Sequence, residues 1–120
     1  MASVIPNVFR QVAVTATKVL VATGNQAIVG WNLINPNLSG AYLKIYNAAA
    51  ASDVTVGTTT PIETLFIPYG PGLFWQSNED KFNISCSLGI VIACTTEIAD
   101  SGTTAPSTGC YVRLHYSTNQ

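Results

Sequence analysis

The stretch Phe82–Thr96, FNISCSLGIVIACTT, decides the fold. Ile84, Cys86, Leu88, Ile90, Ile92 and Cys94 recur at every second position, which is the period of an extended strand with one face buried. The opposite positions, Asn83, Ser85, Ser87, Gly89, Val91, Ala93 and Thr95, are mostly small or polar. The reading is one or two core strands, with a hairpin turn near Ser87 to Gly89.

The same period runs outward in both directions. VFRQVAVTATKVLVAT (Val8 to Thr23) is rich in Val and Thr and long enough for a bent strand or a hairpin. Gly24-Asn25 signals a turn. In the following strand Ala27, Val29, Trp31 and Leu33 share one face, and Ile28, Asn32 and Ile34 the other. Asn-Pro and Ser-Gly mark a loop at NPNLSG. In AYLKIYN, Ala41, Leu43 and Ile45 face inward, and Tyr42, Lys44 and Tyr46 form a half-polar outer face. Ala48–Ala51 is too short for a helix, and a short strand is expected at Val54 to Val56. PIETLFIP, bracketed by prolines, suits an edge strand or a strand end. YGPG is a turn and LFWQ a short aromatic strand. EIADSGTTAPSTG is a long loop. CYVRLHYS turns Cys110, Val112, Leu114 and Tyr116 inward, and Tyr111, Arg113 and His115 outward. Seven to nine short strands without a helix predict an all-β, single-domain antiparallel β-sandwich over residues 1–120, jelly-roll-like.

Composition narrows the function. Charged residues make up 9 % of the 120, with a net charge of -1, against roughly 25 % in a typical domain. No electrostatic footprint for nucleic acid or an anionic membrane is present. A sparsely charged surface suits a protein covered by copies of itself or by partners, because interface cores are poor in charge. A secreted, Thr-rich β-protein is the plainer alternative. The start, MASVIPNVFRQ, shows no secretory signal pattern, and LGIVIAC is too short to span a bilayer.

Candidate chemistry is sparse. Cys86, Cys94 and Cys110 fall on inward faces, lack metal spacing, and read as small buried hydrophobes. His115 is the only histidine, and no nucleophile elbow accompanies it. The carboxylates Asp53, Glu63, Glu79, Asp80, Glu97 and Asp100 show no facing pair of the glycosidase kind. Asp100, in a Ser/Thr loop, is a weak candidate for a hard-cation site. No enzyme activity, cofactor or metal is expected. Trp31, Tyr42, Tyr46, Trp75 and Tyr111 are candidates for carbohydrate stacking or interface anchoring, Trp31 being better suited to the core. The expected interaction surface comprises Tyr42, Lys44, Tyr46, Asp53, Thr58, Thr59, Trp75, Tyr111 and Arg113. It draws on the Asp53–Pro61 and Ser101–Thr108 loops, and Val8–Val14 is positioned to add a strand to a neighbour.

The order of these segments carries a resemblance. A Tyr-Leu-Lys-x-Tyr-Asn strand (Tyr42 to Asn47) leads to a Val-Gly-Thr-x-x-Pro loop (Val56 to Pro61). A Gly-Ile strand and an Ala-Asp-Ser loop follow (Gly89 to Thr104). From Trp31 to Tyr116 the chain resembles small all-β virion structural proteins of tailed bacteriophages. The resemblance implies a particle component made in the host cytoplasm and assembled into the virion. The expected role is a capsid cement (decoration) protein. Its partners would be the major capsid protein and copies of itself, as in a trimer. The alternative is a tail, baseplate or fibre component that binds host-surface glycan.

Overall fold

The computed structural model describes residues 7–70, 75–77 and 83–118. The strands are β1 (Asn7–Val14), β2 (Val19–Thr23), β3 (Gln26–Ile34), β4 (Ala41–Asn47), β5 (Glu63–Ile67), β6 (Trp75–Ser77), β7 (Ile84–Cys86), β8 (Gly89–Thr95) and β9 (Cys110–Thr118). All pair antiparallel, in two sheets. Sheet A runs β1-β9-β3-β6, with β7 also paired to β3, and sheet B runs β2-β8-β4-β5. The protein is all-β, and the one helical element among the described residues is a single 3-10 turn, Ala51–Asp53.

The pairings are nested. β1 pairs with β9, β2 with β8, β3 with β6 and β7, and β4 with β5. The chain therefore pairs with itself like one long hairpin, and β3–β9 and β4–β8 contacts join its turns within each sheet.

The inner faces of both sheets meet in one core. Ile28, Trp31 and Leu33 of β3 and Cys110, Val112 and Leu114 of β9 lie on one side. Leu43 and Ile45 of β4 and Ile90, Ile92 and Cys94 of β8 lie on the other. The inward positions expected for β4 and β9 are thus occupied as the alternation requires.

Several local expectations are corrected by this arrangement. Ser87–Gly89 is not a hairpin turn, since β7 belongs to sheet A and β8 to sheet B. Leu88, at the crossing, is 56 % exposed instead of inward. Gly89 adopts φ +150°, and a Cβ there would strike the carbonyl oxygens of Ala48 and Ala22, so the crossing needs glycine. Val8–Thr23 likewise passes from sheet A to sheet B between β1 and β2. In β3 the register against β9 shifts between Ile28 and Gly30. That bulge moves Ile28 onto the same buried face as Trp31 and Leu33, where strict alternation had opposed them. No strand forms at Val54 to Val56; the 3-10 turn and an irregular segment take its place. β5 is the outer strand of sheet B, as its flanking prolines suggested. The second half of the YGPG turn and the start of LFWQ fall outside the described residues, as do the N-terminal six residues and Asn78–Phe82.

Candidate functional site

The two outer faces of this sandwich differ. The outer face of β4 was expected to be open, with Tyr42, Lys44 and Tyr46 presented to solvent. The structure corrects this: Tyr46 and Lys44 are each 1 % exposed. Two loops fold over them. Loop 48–61 places Val54 against Tyr46, Ala48, Val91 and Ala93, making a second, smaller core on the outer side of sheet B. The outward face of β8 is buried for the same reason. Loop 96–109 covers the remainder, and the Lys44 ammonium donates to the carbonyl oxygens of Ile98 (2.9 Å) and Ala99 (2.7 Å).

Burial pulls the Lys44 pKa below its ordinary value, and the nearby Asp100 and Glu97 carboxylates partly restore it. The same burial, aided by Asp100, pushes the Tyr46 phenol up. In the Asp100 loop the Lys44 ammonium already occupies the carbonyl oxygens of Ile98 and Ala99. Among the described residues no group of three or more His, Cys, Asp or Glu is placed to hold a metal.

Each covering loop has its own internal brace. Glu97 accepts from the Thr104 amide (3.0 Å) and from the Thr104 hydroxyl (2.9 Å). These bonds lower its pKa below the ordinary 4.5. In the other loop the Thr59 amide donates to Thr55 O (2.8 Å) and its hydroxyl accepts from the Thr55 amide (2.9 Å). Lys18 donates to Val54 O. The loops also touch: Gly57 has φ +92°, and a Cβ there would meet the Thr103 side chain and the Ser101 carbonyl. The expected contact segments around Asp53–Pro61 and Ser101–Thr108 thus form one continuous cover. Asp53 and Thr58 are exposed on it and Thr59 is half-buried.

The other expected surface residues lie elsewhere. Tyr42 is half-buried and packs its ring against Phe66, with centroids 5.4 Å apart. Trp75 opens β6 opposite Leu33 of β3. Tyr111 and Arg113 alternate with the core residues of β9 and so face outward from sheet A, on the far side of the sandwich from Lys44. Arg10, absent from the expected set, joins them: its guanidinium lies 5.3 Å from the Tyr111 ring centroid, and its Nε donates to the Tyr111 hydroxyl at 3.3 Å. The signal for Arg10 was available, since the alternation that buries Phe9 puts Val8 and Arg10 on the opposite face.

At one end of the sandwich the connecting loops are held by asparagines. Asn37 and the Thr108 backbone exchange two hydrogen bonds of 2.8 Å. The fully buried Asn35 accepts from Asn37 and donates to Ser39 O and Ile67 O. Beside them a hollow of about 400 Å³ is lined by Pro36, Asn37, Leu38, Ser39, Ser107 and Thr108. Leu38 is 85 % exposed at its rim.

The three cysteines are free and buried, and all belong to the main core. Burial pushes the Cys86 thiol up to about 11. A hydrogen bond with Cys110, together with burial, holds the Cys94 thiol well above its ordinary value. The same hydrogen bond lowers the Cys110 thiol, while Cys86 and Cys94, held protonated, are poor nucleophiles.

No family model, no curated protein and no solved structure matches the chain.

Proposed function

We propose that this chain is a structural component of a bacteriophage virion, acting as a capsid cement protein that binds and stabilises the assembled major capsid protein lattice. The observation that carries the reading is the character of the surface. Val8, Val12, Leu20, Leu38, Ile62, Phe66, Tyr69, Leu88 and Ile98 are exposed, while Lys18 and Lys44 turn their ammonium groups inward onto backbone carbonyls. Apolar side chains thus stand where a free monomer usually carries charge, as suits a surface covered by partners. The nested strand pairing supports a jelly-roll reading of the sandwich, an architecture that recurs in viral capsid and lectin domains.

The mechanism is linkage. A protein that binds the finished lattice and not its precursor stabilises the finished state by mass action, and many modest contacts add through multivalency. The test mixes purified protein with expanded, undecorated phage heads, pellets them and images the pellet. Saturable binding at regular lattice positions, with a raised disruption temperature, is expected. Heads that remain bare at saturating protein would refute the cement role.

A second reading, a tail or fibre component that binds host glycan, draws on Tyr69. This ring is 56 % exposed, and the following residue, Gly70, donates its amide to Asn37 O at the polar hollow. An aromatic face beside amide and hydroxyl groups suits a sugar ring. Saturable binding of host-surface glycan by the isolated chain, lost in Tyr69→Ala, is the outcome that separates this reading from the first.

A further inference from the structure

Arg10 and Arg113 are direct cross-strand neighbours in the β1–β9 register, and Arg113 is in turn opposite Asn32 of β3. Like charges directly opposite in a sheet are destabilising. A chain with five basic residues nevertheless places two of them side by side. Among the described residues no carboxylate pairs with either. Around them lie Tyr111, under the Arg10 guanidinium, and the exposed Val8 and Val12 of the same edge strand. Arg, Tyr and apolar side chains, with no Lys, Asp or Glu among the described residues beside them, are the composition of an interface centre.

The opposite side of the molecule is complementary. Three of the four described carboxylates, Asp53, Glu97 and Asp100, sit in the two loops that cover sheet B, and Asp53 and Asp100 are exposed. The lysines on that side, Lys18 and Lys44, point inward. Ile98, 66 % exposed, stands two residues from Asp100 and offers an apolar contact of its own.

We propose that the outer face of sheet A around Arg10, Tyr111 and Arg113 is a docking surface for the acidic, loop-covered side of a second copy of this chain. The cross-strand arginine pair takes the partner's Asp53 and Asp100 carboxylates, and Val8 and Val12 meet its apolar rim. The two surfaces lie on opposite sides of one sandwich, so the contact is heterologous and grows into a ring or an open stack. This proposal goes beyond the particle reading and does not rest on it, since it concerns the isolated chain alone.

Sedimentation velocity of the purified full chain across a wide concentration range, at low and high sodium chloride, tests it. Self-association that weakens with salt is expected, because screening acts on partly exposed charges. Arg10→Glu/Arg113→Glu should weaken association by at least about tenfold, in line with loss of close interfacial charge pairs. Mixing that variant with Asp53→Lys/Asp100→Lys should restore association between the two proteins, though each alone stays monomeric. Circular dichroism melts check folding, and the milder Arg10→Gln/Arg113→Gln serves if charge reversal unfolds the chain. A monomer under all conditions, association indifferent to both arginine variants, or no recovery in the mixture would each overturn the proposal. An empty result in the head-binding experiment would leave it untouched.

Discussion

The outer faces of β4 and β9 begin from the same sequence pattern and end in opposite states. AYLKIYN and CYVRLHYS both alternate apolar residues with a Tyr, a cation and a further ring. On β4 the outward Lys44 and Tyr46 are sealed beneath two loops, Tyr46 in a second core with Val54 and Val91. On β9 the outward Tyr111 and Arg113 stay partly exposed, with Arg10 of the neighbouring strand above the ring. Alternation within a strand settles which side chains oppose the core. What covers the other side depends on segments far away in the chain. Here loop 96–109 reaches Lys44 from more than fifty residues off.

The most forceful way to break this contrast is Tyr46→Ala. If the cover is a true second core, removing its largest side chain costs about 3 to 5 kcal/mol in urea denaturation, as for other buried aromatics. A loss near zero would mean that loop 48–61 is only a flap. Next in size is Lys44→Met, which keeps the stem and deletes the donors to Ile98 O and Ala99 O. A loss of about 2 kcal/mol is expected from two charge-assisted hydrogen bonds whose acceptors regain some water, along with faster amide exchange at Gly102 and Thr104. Unchanged exchange at those amides would show that Lys44 does not hold the loop.

The brace at Glu97 sharpens the comparison through pH. Its pKa is lowered in the folded protein, chiefly by the Thr104 hydroxyl and then by the Thr104 amide. A lowered carboxyl pKa contributes stability above the unfolded value, and that stability is lost as pH falls through the folded value. NMR should find Glu97 titrating below its ordinary 4.5, with Thr104 amide exchange accelerating below that point. In Glu97→Gln that acid dependence should disappear; if it persists, another group is responsible. The smallest effect belongs to the open side. Arg113→Gln should change the stability of the isolated monomer by no more than about 0.5 kcal/mol, as for surface positions without buried partners. A larger loss would mean that sheet A is covered as sheet B is.

Period-two reading recovered much of the fold because inward residues obey it locally. Leu43, Ile45, Val112 and Leu114 are buried where alternation puts them. It failed at Ile28 because one extra residue in β3 shifts the phase, and a bulge leaves no mark in composition. It failed at Ser87–Gly89 because a turn between sheets and a hairpin turn use the same residues. The candidate surface was less legible. Tyr111 and Arg113 lie outward as read, but the burial of Lys44 follows from a carbonyl pair in loop 96–109, and nothing in AYLKIYN announces it. Arg10 was within reach of the pattern and becomes informative only once the register sets it opposite Arg113.

The nested pairing also ranks the strand pairs by the cost of closing them. β4 and β5 are the innermost pair, joined by a loop of fifteen residues between Asn47 and Glu63, so they close the shortest loop at the lowest entropic cost. Every other pair encloses this one, and the Asn7–Tyr116 pairing closes the widest loop of all. Such long-range closure is slow. During synthesis β9, which lies between β1 and β3 in sheet A, is the last of these strands to leave the ribosome. Until then one edge of β3 and one edge of β1 lack their shared partner. The nascent chain therefore carries an open sheet A until β9 emerges, and chaperone demand should fall sharply at that point.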